Sequence, residues 1–381
     1  MRPALTSATK VWLRDIRLVI TQYSPKINVN QLISNMNKTN LVILAIGLLS
    51  VCCSRQASMS DSEAIRVSEP SDSISIESIV EEYRLIPVHS DSLIIGELIY
   101  VAQQDSMLYS LDSYGTLAAT SLISEKTVFA RNILGEGPGE CIRPQALAVD
   151  SGCLYIYDLG KMSVSRFNRE SMAFIDQFQV NVPSMSIAAA SSKIALANLE
   201  FHKGVPQVIE VDVANGSRRE YAHSSSKMDI TYDLSPPMVY AYGGSFCFVS
   251  AWANTFNEID VANDTILSKP IRFDGFSNVD SSKSMHVHDD SPAEIRPVAM
   301  NLFQNSGYSV VQYVYKDQIY YCFQKEGMEI ANGAVAISNN MLFMPRWQSA
   351  DYLIGTTSDL VTDDTTSDDY PTYVILTKLK G

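Results

Sequence analysis

From about Ile74 onward, apolar residues recur in short continuous or alternating runs between clusters of Gly, Asn, Asp and Ser, and helical spacing is hard to find. The runs include EYRLIPV (82–88), ELIYVAQ (97–103), MLYSLD (107–112), LYIYD (154–158), VSRFN (164–168), FIDQFQV (174–180), KIALAN (193–198), QVIEVDV (207–213) and SFCFVSA (245–251). TILSKPIRF (265–273), YSVVQYVY (308–315), QIYYCFQ (318–324), MLFMPRW (341–347) and YVILTKLK (373–380) follow. Even spacing of strands over so long a stretch predicts an all-β repeat architecture.

Three segments sharpen the pattern. MLYSLDSYGTLAAT, CLYIYDLGKMSVSRFNRESMAFIDQFQV and QVIEVDVANGSRREY each join a strand ending near Asp, a turn and a more polar strand. This is how a propeller blade is written, with an axial strand handing on through tight hairpins to outer ones. Six blades in the roughly 310 residues from position 74 onward give about 52 each, near the known blade periods of ~40–50. Seven shorter blades are compatible, and eight leave too little chain. Pairing Tyr83–Val88 with Tyr373–Lys380 in one sheet would close the ring and hide two edges.

A different pattern precedes the strands. From Met36 the chain reads MNKTN, then an apolar run from Leu41 to Val51, then Cys52, Cys53 and a polar stretch. That run is too short for a bilayer core of ~30 Å, so it reads as a signal-peptide core. A cysteine directly behind such a core resembles the bacterial lipoprotein signal, which implies acylation of Cys52 or Cys53. Leu49-Ser50-Val51-Cys52 departs from that signal by its branched residue before the cysteine, and Ser50-Val51-Cys52-Cys53 by its missing leucine. The expected organisation is a gene-model extension or cytoplasmic leader over 1–35, a signal peptide over 36–52, a Ser/Asp/Glu-rich tether over 53–73 and a propeller over 74–381.

Charge narrows the partners. The net charge is -13, and residues 1–52 hold six Lys/Arg against Asp15, leaving 23 basic and 41 acidic residues, a net of -18, beyond them. Such a body repels phosphate backbones, so no nucleic-acid partner is expected. Cys141, Cys153, Cys247 and Cys322 form neither CxxC nor zinc-type Cys/His spacing, and the last three lie in apolar runs as small buried hydrophobes do.

Candidate chemistry concentrates in NILGEGPGECIRPQ, residues 132–145. Gly135, Gly137 and Gly139 are spaced G-x-G-x-G, without the Lys-Ser/Thr of a P-loop or the G-x-G-x-x-G of a dinucleotide loop, and two glutamates would repel phosphate. No cofactor is expected. The loop reads as an inter-blade connection whose glycines permit positive φ and close packing. A functional reading adds Arg131, Glu136, Glu140 and Arg143 at the axial face, where propeller loops converge on a ligand. MHVHDDS offers His286 and His288 on one strand face, a weak metal candidate in a loop-like context without a third ligand nearby. TSDLVTDDTTSDDYP places five aspartates between Asp359 and Asp369, without EF-hand spacing. Trp252 and Trp347 are either sugar-stacking planes or blade-packing core. The turns after Asp112 and Asp158 are expected to bond backbone amides to the carboxylate.

The Gly-x-Gly-Pro-Gly-Glu element with the strand pair behind it, together with EYRLIPV, TILSKPIRFDGF and DDYPTYVILTKLK, resembles the six-bladed β-propeller lipoproteins of Bacteroidetes, relatives in shape of NHL and TolB-type propellers. The resemblance runs through most of 82–380. It implies a six-bladed propeller, a membrane partner through the N-terminal lipid, and a cell-envelope location, outer membrane first. The family carries no agreed reaction, so no catalytic residue transfers. The expected role is a non-enzymatic module binding a protein or glycan. The alternatives are a propeller enzyme (lyase, lactonase or glycan-processing) or an accessory subunit of an outer-membrane uptake or signalling complex.

Overall fold

The computed structural model describes residues 64–199, 205–223, 238–250, 253–276, 297–316, 318–335, 343–357 and 372–381. They form six sheets around an axis, each built on four antiparallel strands and two of them extended by a fifth, a six-bladed β-propeller. The first blade is β4 (Leu98–Gln104), β5 (Met107–Asp112), β6 (Thr116–Ser121) and β7 (Lys126–Asn132). The second is β8 (Pro144–Val149), β9 (Cys153–Asp158), β10 (Ser163–Asn168) and β11 (Phe174–Gln179). The third is β12 (Ser184–Ala190), β13 (Lys193–Asn198), β14 (Pro206–Asp212) and β15 (Arg218–His223). The fourth is β16 (Val239–Tyr242), β17 (Ser245–Ser250), β18 (Thr255–Asp260) and β19 (Thr265–Phe273). The fifth is β20 (Val298–Asn305), β21 (Tyr308–Tyr315), β22 (Gln318–Lys325) and β23 (Met328–Val335).

The sixth blade closes the ring as the sequence predicts. It is β24 (Trp347–Gln348), β25 (Leu353–Thr356), β26 (Thr372–Leu379) and, as outermost strand, β3 (Val80–Val88) from the far end of the domain. The antiparallel register runs from Thr372 opposite Val88 to Leu379 opposite Val80.

Burial follows the sequence grammar. The second strands β5, β9, β13 and β17 are apolar on both faces and buried almost throughout, because neighbouring blades cover both sides. The outer strand β11 alternates between half-buried and exposed positions. Two-residue turns join first to second strands in blades one, three, four and five, and Ser191–Ser192, Gly243–Gly244 and Ser306–Gly307 have positive φ at both positions, the backbone that matches strand twist.

One part of the expected tether belongs to the propeller instead. β1 (Ile65–Val67) runs parallel to β19, and β2 (Ser71–Ile74) parallel to β23, as fifth strands on the outer edges of blades four and five. Sparse apolar residues explain why composition hides them: Val67 and Ile76 are buried, Ile65 and Ile74 are half-buried against the core, and most of the rest is polar. The polar remainder is bonded, with Asn332 Nδ2 donating to Ser68 O at 2.6 Å, Ser71 Oγ donating to Asn332 O at 2.6 Å, and Arg66 paired with Asp274 at 2.9 Å. The strap covers two edges that would otherwise offer unpaired backbone. The run 341–347 also differs from its reading as a strand: among the described residues only Trp347 and Gln348 pair, Pro345 having no N–H for a ladder.

The cysteines match the core reading. Cys141, Cys247 and Cys322 are buried and Cys153 half-buried, all as free thiols. Burial pushes the Cys141 thiol up to about 12, and burial likewise raises Cys247 and Cys322. A raised value keeps the thiol protonated, so little thiolate forms at pH 8. Maleimide at pH 8 should therefore modify Cys153 well ahead of the other three, read by peptide mapping, with equal labelling appearing only in denaturant.

Candidate functional site

The two faces of the ring are built differently. Inner strands β4, β8, β12, β16, β20 and β24 all begin on one face, here the loop face, and end in tight hairpins on the other, the hairpin face. Links from one blade to the next join strand ends at the loop face, and so do the turns from second to third strands. The long links 224–237, 277–296 and 358–371 connect strand ends on that face, which is where a rigid scaffold places its variable chemistry.

The inner strands share a local defect at their loop-face ends. In β4, β8, β12 and β20 the pairing register slips by one residue, between Leu98 and Tyr100, Pro144 and Ala146, Ser184 and Ser186, and Ala299 and Asn301. The extra residues are Ile99, Gln145, Met185 and Met300. A bulge bends its strand and re-aims the extra side chain. All four line a single axial cavity of about 490 Å³, joined there by Met238 and Met344, which stand just before β16 and β24. Each of the six blades thus contributes one collar residue, and four of the six are methionines.

Polar side chains share the wall with the methionines: Glu97, Gln145, Asn301, Gln312 and Arg346. On one wall Asn301 Nδ2 donates to Gln312 Oε1 at 2.7 Å, and Gln312 Nε2 donates to Tyr321 Oη at 3.1 Å. Glu97 and Arg346 supply opposite charges to the same cavity. Trp347, only 5% exposed, forms the waist below the collar, with Tyr100 at 5.5 Å between ring centroids and the Arg346 guanidinium 5.0 Å over its ring. Tyr100 Oη donates to Ile187 O at 3.1 Å, and burial raises its pKa, so it stays a neutral phenol. Beyond the waist a second cavity of about 360 Å³ continues toward the hairpin face past Tyr240, Tyr242 and Gln348.

Trp347 is packed in the core, as one of its two sequence readings has it, and its ring also borders both axial cavities. Trp252, His286, His288, Cys52, Cys53 and the aspartates between Asp359 and Asp369 lie outside the described residues. Arg131, Glu136, Glu140 and Arg143 do not reach the axial cavities: Arg131 sits on outer strand β7, and the others on the link from β7 to β8. Glu140 turns back into its own loop, accepting from Gly137 N at 2.9 Å, while Lys161 Nζ donates to Glu140 O at 2.9 Å. Gly135 N donates to Cys141 O and Cys141 N to Ile133 O, a clasp across the loop neck. A Cβ on Gly135 would overlap the Glu140 carboxylate, and Gly139, at φ 75°, would press on Phe174 at 3.0 Å. Gly139→Ala should cost about 1–3 kcal/mol in chemical denaturation, through strain and crowding together.

Asp158 supports the same corner, as expected. Its carboxylate is fully buried and accepts from the backbone N–H of Ile142, Arg143, Gly160 and Lys161 at 2.8–3.3 Å. Asp112 does the same a blade earlier, for Gly96, Tyr114 and Thr116.

The collar escaped the sequence reading because no polar cluster marks it. Its one signal is a proline within three residues of five of the six collar positions, as in Pro144-Gln145, Pro183-Ser184-Met185, Pro237-Met238, Pro297 before Met300 and Met344-Pro345, with none near Ile99.

Two solved structures share this fold. A candidate exported protein from Bacteroides fragilis NCTC 9343 superposes with TM-score 0.63 at 15% identity, over 84% of this chain and 100% of its own. A member of the DUF4221 family from Bacteroides vulgatus superposes with TM-score 0.51 at 9% identity, over 79% of this chain and 97% of its own. At such identities the likeness is one of fold. No family profile matches the sequence, and no curated protein matches it.

Proposed function

We propose that this protein is an exported, lipid-anchored envelope protein that works as a non-catalytic binding module, taking its ligand at the axial mouth of the loop face. The observation that carries the reading is the collar, four register bulges that turn one side chain per blade into a common cavity instead of filling the axis. An apolar concavity with a few fixed polar groups is the usual form of a binding site. Methionine suits it because an unbranched, polarizable side chain adapts to what it touches. The anchor rests on the apolar run before Cys52 and Cys53. Export is in keeping with how the B. fragilis neighbour is described. The strap joins the ring at the outer edge of blade four, away from the inner strands that carry the collar.

Thermal shift with panels of defined glycans and peptides tests the binding reading. At least one class should raise the midpoint of the wild type and leave Gln145→Trp, with its mouth filled, unmoved. Ligands that stabilise both proteins alike would put the site elsewhere. New products in the ligand mixture by mass spectrometry would favour the enzyme instead. For the anchor, palmitate should label the wild type and one of Cys52→Ala or Cys53→Ala, and an unlabelled wild type would end the lipoprotein reading.

A further inference from the structure

We infer that the ligand of this mouth is a polypeptide, an extended cationic segment that seats a large apolar side chain among the thioethers; this rests on the loop face being the binding face. The first argument is the chemistry of the wall. Glycan sites present aromatic planes and many hydrogen-bonding groups to a hydroxyl-covered ligand. Here Met185, Met238, Met300, Met344, Ile99 and Ile319 face the space beside Gln145, Glu97 and Arg346, the waist tryptophan is almost fully buried, and Asn301, Gln312, Tyr321 and Tyr100 already have hydrogen-bond partners within the protein. Thioethers and aliphatic groups gain by contact with an apolar side chain and offer a sugar hydroxyl little.

The second argument is what surrounds the mouth. On blades one and two, Ile94, Tyr114, Leu134, Ile142 and Met162 are exposed apolar residues, all on links or turns at the loop face. They connect to the mouth through the backbone. Tyr114 lies against Gly96, next to Glu97 of the mouth, and Ile142 against Gly160, three residues before Gln145. Leu134 covers Gly115 between them. Exposed apolar residues on the face that carries the pocket suit a chain that lies along the surface and inserts one side chain.

The third argument is charge. The chain beyond residue 52 has a net charge of -18. A protein of that charge attracts a cationic segment and repels an acidic one. A neutral glycan would be indifferent to it.

The test is selection from an unbiased peptide library on the full chain, followed by titration of one synthetic consensus peptide. Selected peptides should share a large apolar residue flanked by Lys or Arg. Affinity should fall about tenfold or more in Met185→Glu and in Met300→Glu, stay within about threefold in Met300→Leu, and weaken at least threefold from 50 to 300 mM salt. Circular dichroism melts of each variant keep misfolding apart from lost binding, and Met300→Leu retains the fold if either charged variant does not. Acidic or salt-insensitive consensus peptides, or peptide binding indifferent to the collar variants, would overturn the inference. A defined glycan that binds the wild type and is lost in the collar variants, where peptides fail, would overturn it too while leaving the mouth as the binding site. Ligands that ignore the collar altogether would sink both.

Discussion

A chain ending at Pro371 should not fold. It lacks β26, the third strand of the last blade, which pairs with β25 on one side and β3 on the other. Val374, Ile375, Leu376 and Leu379 are each at most 2% exposed, and burying such side chains is worth about 1.5–3 kcal/mol apiece. The loss is then about 6–12 kcal/mol, comparable with the whole stability of a typical domain, ~5–15 kcal/mol. Two further costs follow, because β25 and β3 become open edges and β3, which ties the start of the propeller into the last blade, loses its partner strand. Circular dichroism should show no cooperative thermal transition. A truncated chain melting within a few degrees of the full chain would mean that the blades fold without closure.

The second large effect is expected from Asp158→Ala. Four backbone N–H groups converge on this fully buried carboxylate, from the end of the Gly-rich link and from the turn after β9. Removing it strands donors where water does not easily replace it, at about 1–3 kcal/mol for each group left unsatisfied. Some relaxation is allowed for, since Gly160 and Lys161 lie in a turn, so a total of about 3–5 kcal/mol is expected in chemical denaturation with an unchanged slope. Asp158→Asn keeps one acceptor oxygen and should fall between the two. A loss below about 1 kcal/mol would show that the corner holds by packing of Ile142 and Cys141 alone.

These effects also mark which parts of the fold were legible. β5, β9, β13, β17 and β21 stand out in sequence because a strand covered on both faces must be apolar at nearly every position. Closure was readable because β26 and β3 are strongly β-patterned at opposite ends of one domain. Most inner strands were not, β4 being the exception as ELIYVAQ. PQALAV and SMSIAAA are rich in Ala, with Ser and Met in the second, where strands usually carry branched residues, because six strands crowd the axis and small side chains fit there, while VYAY is only four residues long. The functional reading suffered most, since the collar stands at the ends of those same strands. Charged and glycine-rich residues drew attention to the link after β7, where Glu140 folds onto its own glycines and Arg131 stays on the outer strand. A bulge leaves no compositional trace, and a lone methionine or glutamine announces nothing until five other blades bring their own residue to the same axis. The strap hid for the opposite reason, its pairing being backbone to backbone under a polar composition.

Hydrogen exchange, compared with and without whichever peptide or glycan stabilises the protein, tests the binding claim most directly. Bound ligand should slow exchange in segments spanning Ile99, Gln145, Met185, Met238, Met300 and Met344, the collar positions, and leave the hairpin turns at Asp105, Ser191, Gly243 and Ser306 unchanged. Protection confined to those hairpins, or to the outer strands and the link bearing Arg131, Glu136, Glu140 and Arg143, would contradict an axial site on the loop face.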